Sequence, residues 1–169
     1  MRKQLTDKAY FVEMVFEHMR IIYKICNLYA AEEDRDDLKQ EIIYQLWKSY
    51  PSFRGEAKFQ SWMYRIALNT AMLGLRAPKQ KYSRLSDREL DIQAGAEAHP
   101  EEENKIRQLY IHISKLKDLD KTIVFLYLEE CSYEEIAEIT GISVKNVSVR
   151  LVRIREKLRK LFNIQSSAT

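Results

Sequence analysis

The stretch Cys131–Leu161, CSYEEIAEITGISVKNVSVRLVRIREKLRKL, decides how this chain folds. Ser132, followed three residues later by Glu135, makes a capping box: hydroxyl and carboxylate each take a backbone N–H that a helix start leaves unpaired. Gly141 supplies a turn residue free to take positive φ, and Ser143 is placed to cap a second helix. Val147, Leu151, Ile154, Leu158 and Leu161 recur four and three apart, so that helix carries one apolar stripe. Ala137, Gly141 and Val147 stand where a helix-turn-helix needs a small residue, a turn and a core anchor. From Gly141 to Leu161 seven basic residues accompany one acid, Glu156. Lys145, Arg153, Arg159 and Lys160 lie away from the stripe, while Arg150 and Lys157 flank it. A cationic helix alone is often just a solvated face. Behind a capped helix and a glycine turn it implies a recognition helix for the major groove of DNA.

Outward from that segment, the composition points to an all-α protein. The 169 residues are 46% apolar, hold four Gly and three Pro, and show few alternating β-branched runs. The net charge of +3 is modest, but its distribution is uneven. Ala57–Arg84 has six basic residues and no acid, whereas Ser86–Glu103 has seven acids and one base, Arg88. Two positive blocks around an acidic one suggest two nucleic-acid surfaces joined by a different kind of segment. Cys26 and Cys131 are too few for a disulfide framework, and His18, His99 and His112 share no ligand spacing with them. No metal or cofactor is therefore expected, and no catalytic triad or phosphate-binding loop argues for an enzyme. The absence of a signal peptide or membrane-length apolar run predicts a cytoplasmic protein without membrane insertion.

Periodicity predicts two small helical domains. Val12, Val15, Met19, Ile22, Cys26 and Tyr29 read as one long amphipathic helix, and Leu38, Ile42, Leu46 and Trp47 mark a second, ended by Pro51. After the glycine-containing loop PSFRGEAK, a third helix is predicted from Phe59 to Leu75, with Trp62, Met63, Ile66, Ala67, Thr70 and Leu73 inward. Residues 1–76 form the first domain, 77–103 a flexible acidic linker, and 104–169 the second domain. In the second, Ile106, Leu109, Ile113 and Leu116 carry one helix, and Ile123, Val124, Leu126, Tyr127 and Leu128 the next.

Arg65, Asn69, Met72 and Arg76 share a face of the third helix, turned by roughly a right angle from its apolar side on 3.6-residue geometry. Arginines there can meet phosphates, and Asn can hydrogen-bond a base edge. Phe53, Phe59 and Trp62 cluster around the preceding loop. Aromatics beside a positive groove suit single-stranded nucleic acid, whose unstacked bases need stacking partners. Core packing is the other reading for Phe59 and Trp62.

DDLKQEIIYQLW (Asp36–Trp47), FRGEAKFQSWMYRIALNTA (Phe53–Ala71) and SYEEIAEITGISVKNVSVRLVRIREKL (Ser132–Leu158) together resemble the extracytoplasmic-function class of bacterial RNA polymerase sigma factors. The order, the spacing and the two-module length match over about Phe11–Leu75 and Ile106–Leu161, and the FRG-to-NT run is the most specific part. The resemblance implies a transcription initiation factor with a region 2-like three-helix domain and a region 4-like helix-turn-helix domain. Asp36, Asp37, Gln40, Glu41 and Trp47 would dock on core RNA polymerase. The loop residues Phe53, Arg54, Lys58 and Phe59, with Trp62, Arg65, Asn69 and Arg76 on the helix, would bind the single-stranded -10 element. Ser148, Val149, Val152 and Arg153 would face the duplex -35 element, with Lys145, Asn146 and Arg150 nearer its phosphates. An anti-sigma factor is an implied partner.

Departures from the family pattern are visible. Asn146-Val147-Ser148-Val149-Arg150 stands where the family usually has Thr-Val-Lys/Arg-Ser-Arg, which removes a base at 148 and unsettles the usual -35 sequence. Met72 and Gly74 replace commoner polar residues, and a helical glycine costs about 1 kcal/mol, so early fraying is expected there. The acidic linker either threads a nucleic-acid channel of the polymerase or is a solvated tether. Two other function classes stand beside the sigma reading. A stand-alone helix-turn-helix regulator would bind a paired half-site without any single-strand face. A protein-interaction adaptor would leave both basic blocks unexplained.

Overall fold

The computed structural model describes residues 8–76 and 100–167, and every regular element among them is helical. The chain divides into two compact units, Met1–Glu89 and Leu90–Thr169. Most of the predicted linker, including the basic residues Lys79, Lys81 and Arg84, lies outside the described residues.

The first unit contains α1 (Lys8–Glu17), α2 (Met19–Tyr29), α3 (Arg35–Ser49) and α4 (Phe59–Arg76), with single 3-10 turns at Glu32–Asp34 and Tyr50–Ser52. The predicted first helix is thus two. At the break the Nδ1 of His18 donates to the carbonyl of Met14 (2.9 Å), while Ile21 N–H reaches back only three residues to the His18 carbonyl (3.0 Å). A side chain sharing a helical carbonyl, with a tightened turn beyond it, interrupts the helix at this point. Phe11 and Val15 are the buried residues of α1, and Val12, expected inward, is exposed.

Helices α2, α3 and α4 pack on one another around Ile22, Ile25, Leu38, Ile42, Leu46, Met63 and Ala67, all fully buried. Burying each Leu or Ile side chain contributes about 1.5–3 kcal/mol, which offsets the low intrinsic stability of such small bundles. The inner side of α4 is Met63, Tyr64, Ala67, Leu68 and Ala71. Of the residues expected inward, Trp62, Ile66 and Thr70 are only half-buried, and Leu73 is 68% exposed. The helix also continues through Gly74 to Arg76. Cys26 is a core thiol, as its apolar face implies. Burial raises its pKa from 9.0 to about 12, with Lys39 and Arg35 opposing only weakly.

The second unit contains α5 (Pro100–Ser114), α6 (Asp118–Leu128), α7 (Tyr133–Thr140) and α8 (Val144–Ser167). Helix α5 begins inside the segment read as linker. Pro100 in its first turn and the acids Glu101, Glu102 and Glu103 are what a helix N-terminus favours, so the same acidity fits a helix start. Ile106 is exposed, while Ile111, Ile113 and Leu116 are buried. Helix α6 closes in a Schellman motif: Cys131 N–H bonds the Leu126 carbonyl (3.1 Å) and Glu130 N–H the Tyr127 carbonyl (3.1 Å). That geometry puts Glu130 at φ 61, where glycine is usual. Tyr127 and Leu128, expected in the core, are left partly exposed at this helix end.

Candidate nucleic-acid interface and partner surface

The helix-turn-helix is built as its sequence directs. Ser132 Oγ accepts from Glu135 N–H (3.1 Å), and the Glu135 carboxylate accepts from Ser132 N–H (2.9 Å). Gly141 takes φ 76 and returns its N–H to the Ala137 carbonyl (2.9 Å), and Ser143 Oγ accepts from Asn146 N–H (3.2 Å) to start α8. Val147, Leu151, Ile154 and Leu158 are buried against α6 and α7, with Leu161 half-buried at the end of the stripe. The core therefore fixes the rotation of α8 and decides which residues meet solvent.

Lys145, Asn146, Val149, Val152 and Arg153 are exposed, and Ser148 is half-buried. Arg150, expected near the phosphates, is half-buried. Its Nη1 lies 2.7 Å from Asp120 Oδ1 at the start of α6, so part of its donor set is engaged within the domain. Position 150 flanks the stripe, close enough to the α6 interface to find a carboxylate. Arg155 lies over the Tyr127 ring at 4.8 Å, a cation–π contact that holds the other side of α8.

In the first unit, the loop after α3 turns at Gly55 with φ 73, which accounts for the glycine in FRG. Phe53 packs on Trp62 (centroids 5.0 Å) and edge-on to Phe59 (5.6 Å), and Phe59 meets Trp62 (5.3 Å) and His18 (5.8 Å). Phe59 is buried and braces the loop from within the cluster. Phe53 and Trp62 are half-buried, each with one side in the cluster and one towards solvent; Arg54 and Lys58 are exposed. Arg65 and Asn69 are exposed on α4. With the true inner face known, they lie nearly opposite the core, not at a right angle to it. Trp62, Ile66 and Leu73 border Asn69 on that same side. Arg76 closes α4, and its side chain lies outside the described residues.

On α3, Asp36, Asp37, Gln40 and Trp47 are exposed and Glu41 is half-buried, and all five share one side of the helix opposite Leu38, Ile42 and Leu46. Asp36 bonds Lys39 (2.5 Å), and Glu41 accepts from Gln45 (2.9 Å). Trp47 is held by Phe11, edge-on at 5.2 Å. Tyr44, exposed in the middle of this side, was missed by sequence reasoning. The spacing of Asp37, Gln40, Tyr44 and Trp47, three, four and three, contains the signal. Among the described residues no group of His, Cys, Asp and Glu is arranged to hold a metal, and no helix is long and apolar enough to cross a membrane.

Known proteins match both units. Residues 14–80 match the family model for Sigma-70 region 2, and residues 107–158 that for Sigma-70, region 4. The chain is 33% identical over 163 residues to RNA polymerase sigma factor SigV of Bacillus subtilis, covering 94% of this chain and 95% of that one. It is 31% identical over 169 residues to the ECF RNA polymerase sigma-E factor of Haemophilus influenzae, covering 93% and 89%. The sigma factor RpoE of Bartonella quintana, solved in complex with the anti-sigma factor NepR, superposes with a TM-score of 0.68 at 16% identity. That alignment covers 90% of this chain and 98% of the other, a likeness of fold.

Proposed function

The chain belongs to the extracytoplasmic-function class of RNA polymerase sigma factors, and from that premise we propose how its surfaces divide the work of transcription initiation. The exposed side of α3 docks on core RNA polymerase through Asp36, Asp37, Gln40, Glu41 and Trp47, with Tyr44 at its centre. Aromatic side chains set among polar ones are the usual energetic centre of such contacts. The loop of Phe53, Arg54 and Lys58, with Trp62, Arg65, Asn69 and Arg76 on α4, holds the single-stranded -10 element, and Phe59 supports it from beneath. Helix α8 reads the -35 element as duplex, using Lys145, Asn146, Ser148, Val149, Val152 and Arg153; Arg150 mainly fixes the helix to α6.

Binding without catalysis suffices for promoter melting. A surface that binds unpaired bases lowers the free energy of the open state alone, so it shifts the equilibrium towards opening without nucleotide hydrolysis. Unstacking a base costs a few kcal/mol, which contacts from the aromatic loop and Asn69 must offset. The protein acts in the cytoplasm, as a subunit with no reaction of its own. The RpoE relative is bound by an anti-sigma factor, and we assign this chain a partner of the same kind, covering the polymerase-binding or DNA-binding faces.

The observation that carries the reading is the pairing, in one unit, of an exposed α3 side for protein with an exposed Arg65–Asn69 side for nucleic acid. A stand-alone regulator needs no single-strand face. The test is co-elution of the purified chain with bacterial core RNA polymerase on size exclusion, beside a Gln40→Ala/Glu41→Ala variant. Co-elution weakened by the variant is expected. A well-folded chain that never co-elutes would return the protein to the stand-alone class.

A further inference from the structure

The recognition helix carries an apolar pair that packing does not explain. Val152 is 57% exposed and Val149 40% exposed, three residues apart and on the side of α8 away from the buried Val147–Leu158 stripe. Exposed valines on a helix are unfavourable twice: they leave apolar surface in water, and β-branching restricts their rotamers. Around them stand Lys145, Asn146, Arg153 and Glu156, all exposed, so the pair sits within a polar, mainly basic surface and continues no apolar patch of the core. The capped α7, the left-handed Gly141 and the start of α8 at Val144 give the unit the geometry that presents this side of a helix to a major groove.

Valine has no hydrogen-bonding group, so within a major groove it can respond to only one feature of the base edges. Thymine carries the C5-methyl; the other edges present donors and acceptors that valine would desolvate without replacing. Ser148 beside them is half-buried and too short to reach far into the groove. We propose that Val149 and Val152 make this protein a reader of thymine methyl groups in its upstream promoter element, specifying A·T pairs by apolar contact. The inference rests on the assignment of α8 to the duplex upstream element and names what that site selects. Lys145 and Arg153 set affinity through phosphates or a neighbouring base, and the two valines set which base pair is accepted.

The test separates the methyl group from everything else about thymine. The chain, assembled on core RNA polymerase, is used to enrich promoter duplexes randomised over the upstream element. The enriched duplex is then resynthesised with deoxyuridine at each thymidine in turn and measured by competition. Loss of one buried methyl is expected to weaken binding about three- to fivefold at one or two thymidines. In a Val149→Ser/Val152→Ser variant, whose changes are at exposed positions and whose fold is checked by circular dichroism, thymidine and deoxyuridine duplexes should bind alike. Enriched sequences without thymine, deoxyuridine without effect, or an effect that persists in the variant would each overturn the proposal. Wild-type behaviour of the variant on both duplexes would overturn it too, and would assign the valines to a protein contact. Failure to enrich any sequence removes the duplex-reading assignment itself, and the inference with it; enrichment followed by indifference to deoxyuridine removes the inference alone.

Discussion

Arg150 on α8 and Asp120 at the start of α6, thirty residues apart in the sequence, meet at 2.7 Å. The pair ties the recognition helix to the scaffold on the side opposite the Arg155–Tyr127 contact, so α8 is gripped from both flanks of its apolar stripe. Both partners keep partial contact with water, which limits the pair to the range of exposed ion pairs.

A double-mutant cycle of Arg150→Ala and Asp120→Ala should therefore show a coupling of about 0.5–1 kcal/mol. Both tryptophans, Trp47 and Trp62, lie in the first unit, so their emission does not report on the second. Amide hydrogen exchange of α6 and α8 is the appropriate readout. Arg150→Ala should also reduce promoter affinity less than Arg153→Ala. Absent coupling with equal losses of affinity would make Arg150 a DNA contact first.

Glu130 holds a backbone conformation better suited to glycine, because the Schellman bonds of Cys131 and its own N–H demand φ 61. Glu130→Gly should stabilise the second unit by about 1 kcal/mol, the cost of a left-handed conformation for a residue with a Cβ. Gly141→Ala is the mirror experiment. A Cβ there meets no atom within 4 Å, so the expected loss of about 1 kcal/mol is backbone strain with no clash. Exchange rates in α6 and α7 measure both, and a Glu130→Gly variant that opens faster would refute the strain assignment.

Tyr44 and Trp47 divide differently between folding and binding. Trp47 packs on Phe11 and lies beneath Lys8, so its truncation disturbs the first unit, whereas Tyr44 is more than half exposed. Tyr44→Ala should weaken core polymerase binding by about 1–2 kcal/mol, as aromatic anchors do, with an unchanged tryptophan melting curve. Trp47→Ala should lower both. Full binding by Tyr44→Ala would move the polymerase contact off the centre of α3.

The elements of this fold are readable where one local rule decides them. The capping box, Gly141 and the 147–151–154–158 stripe each specify their own geometry, and the helix-turn-helix follows from them. Errors arise where two rules compete. The side chain of His18 shares a helical carbonyl, so one predicted helix becomes two, and on α1 Phe11 stands in the core where Val12 is expected. On α4, nearly every position around Ile66 is apolar or small, so periodicity alone cannot orient the helix, and Leu73 was assigned to the wrong side. Charge was ambiguous in the same way. Glu101–Glu103 satisfies a linker's composition and a helix's first turn equally well, and Arg150 reads as a free cation until Asp120 is brought beside it in space.

Asn69 tests the division between holding the polymerase and opening the promoter. It is exposed on α4, on the side away from the core, and its carboxamide can both donate to and accept from a base edge. None of the α2–α4 packing depends on it, so Asn69→Ala should leave the melting curve and core polymerase co-elution at wild-type levels. Losing a base contact should reduce open-complex formation at a selected promoter about 5- to 100-fold, equivalent to about 1–3 kcal/mol. The defect should be of similar size in binding to a template already unpaired across the -10 element, because the same contact to the open strand is lost in both cases. Permanganate footprinting of unpaired thymines reads opening of the paired template, and competition binding reads affinity for the pre-opened one. A defect on paired DNA with none on pre-opened DNA would remove Asn69 from the contacts to the open strand, and a parallel loss of polymerase binding would make it structural.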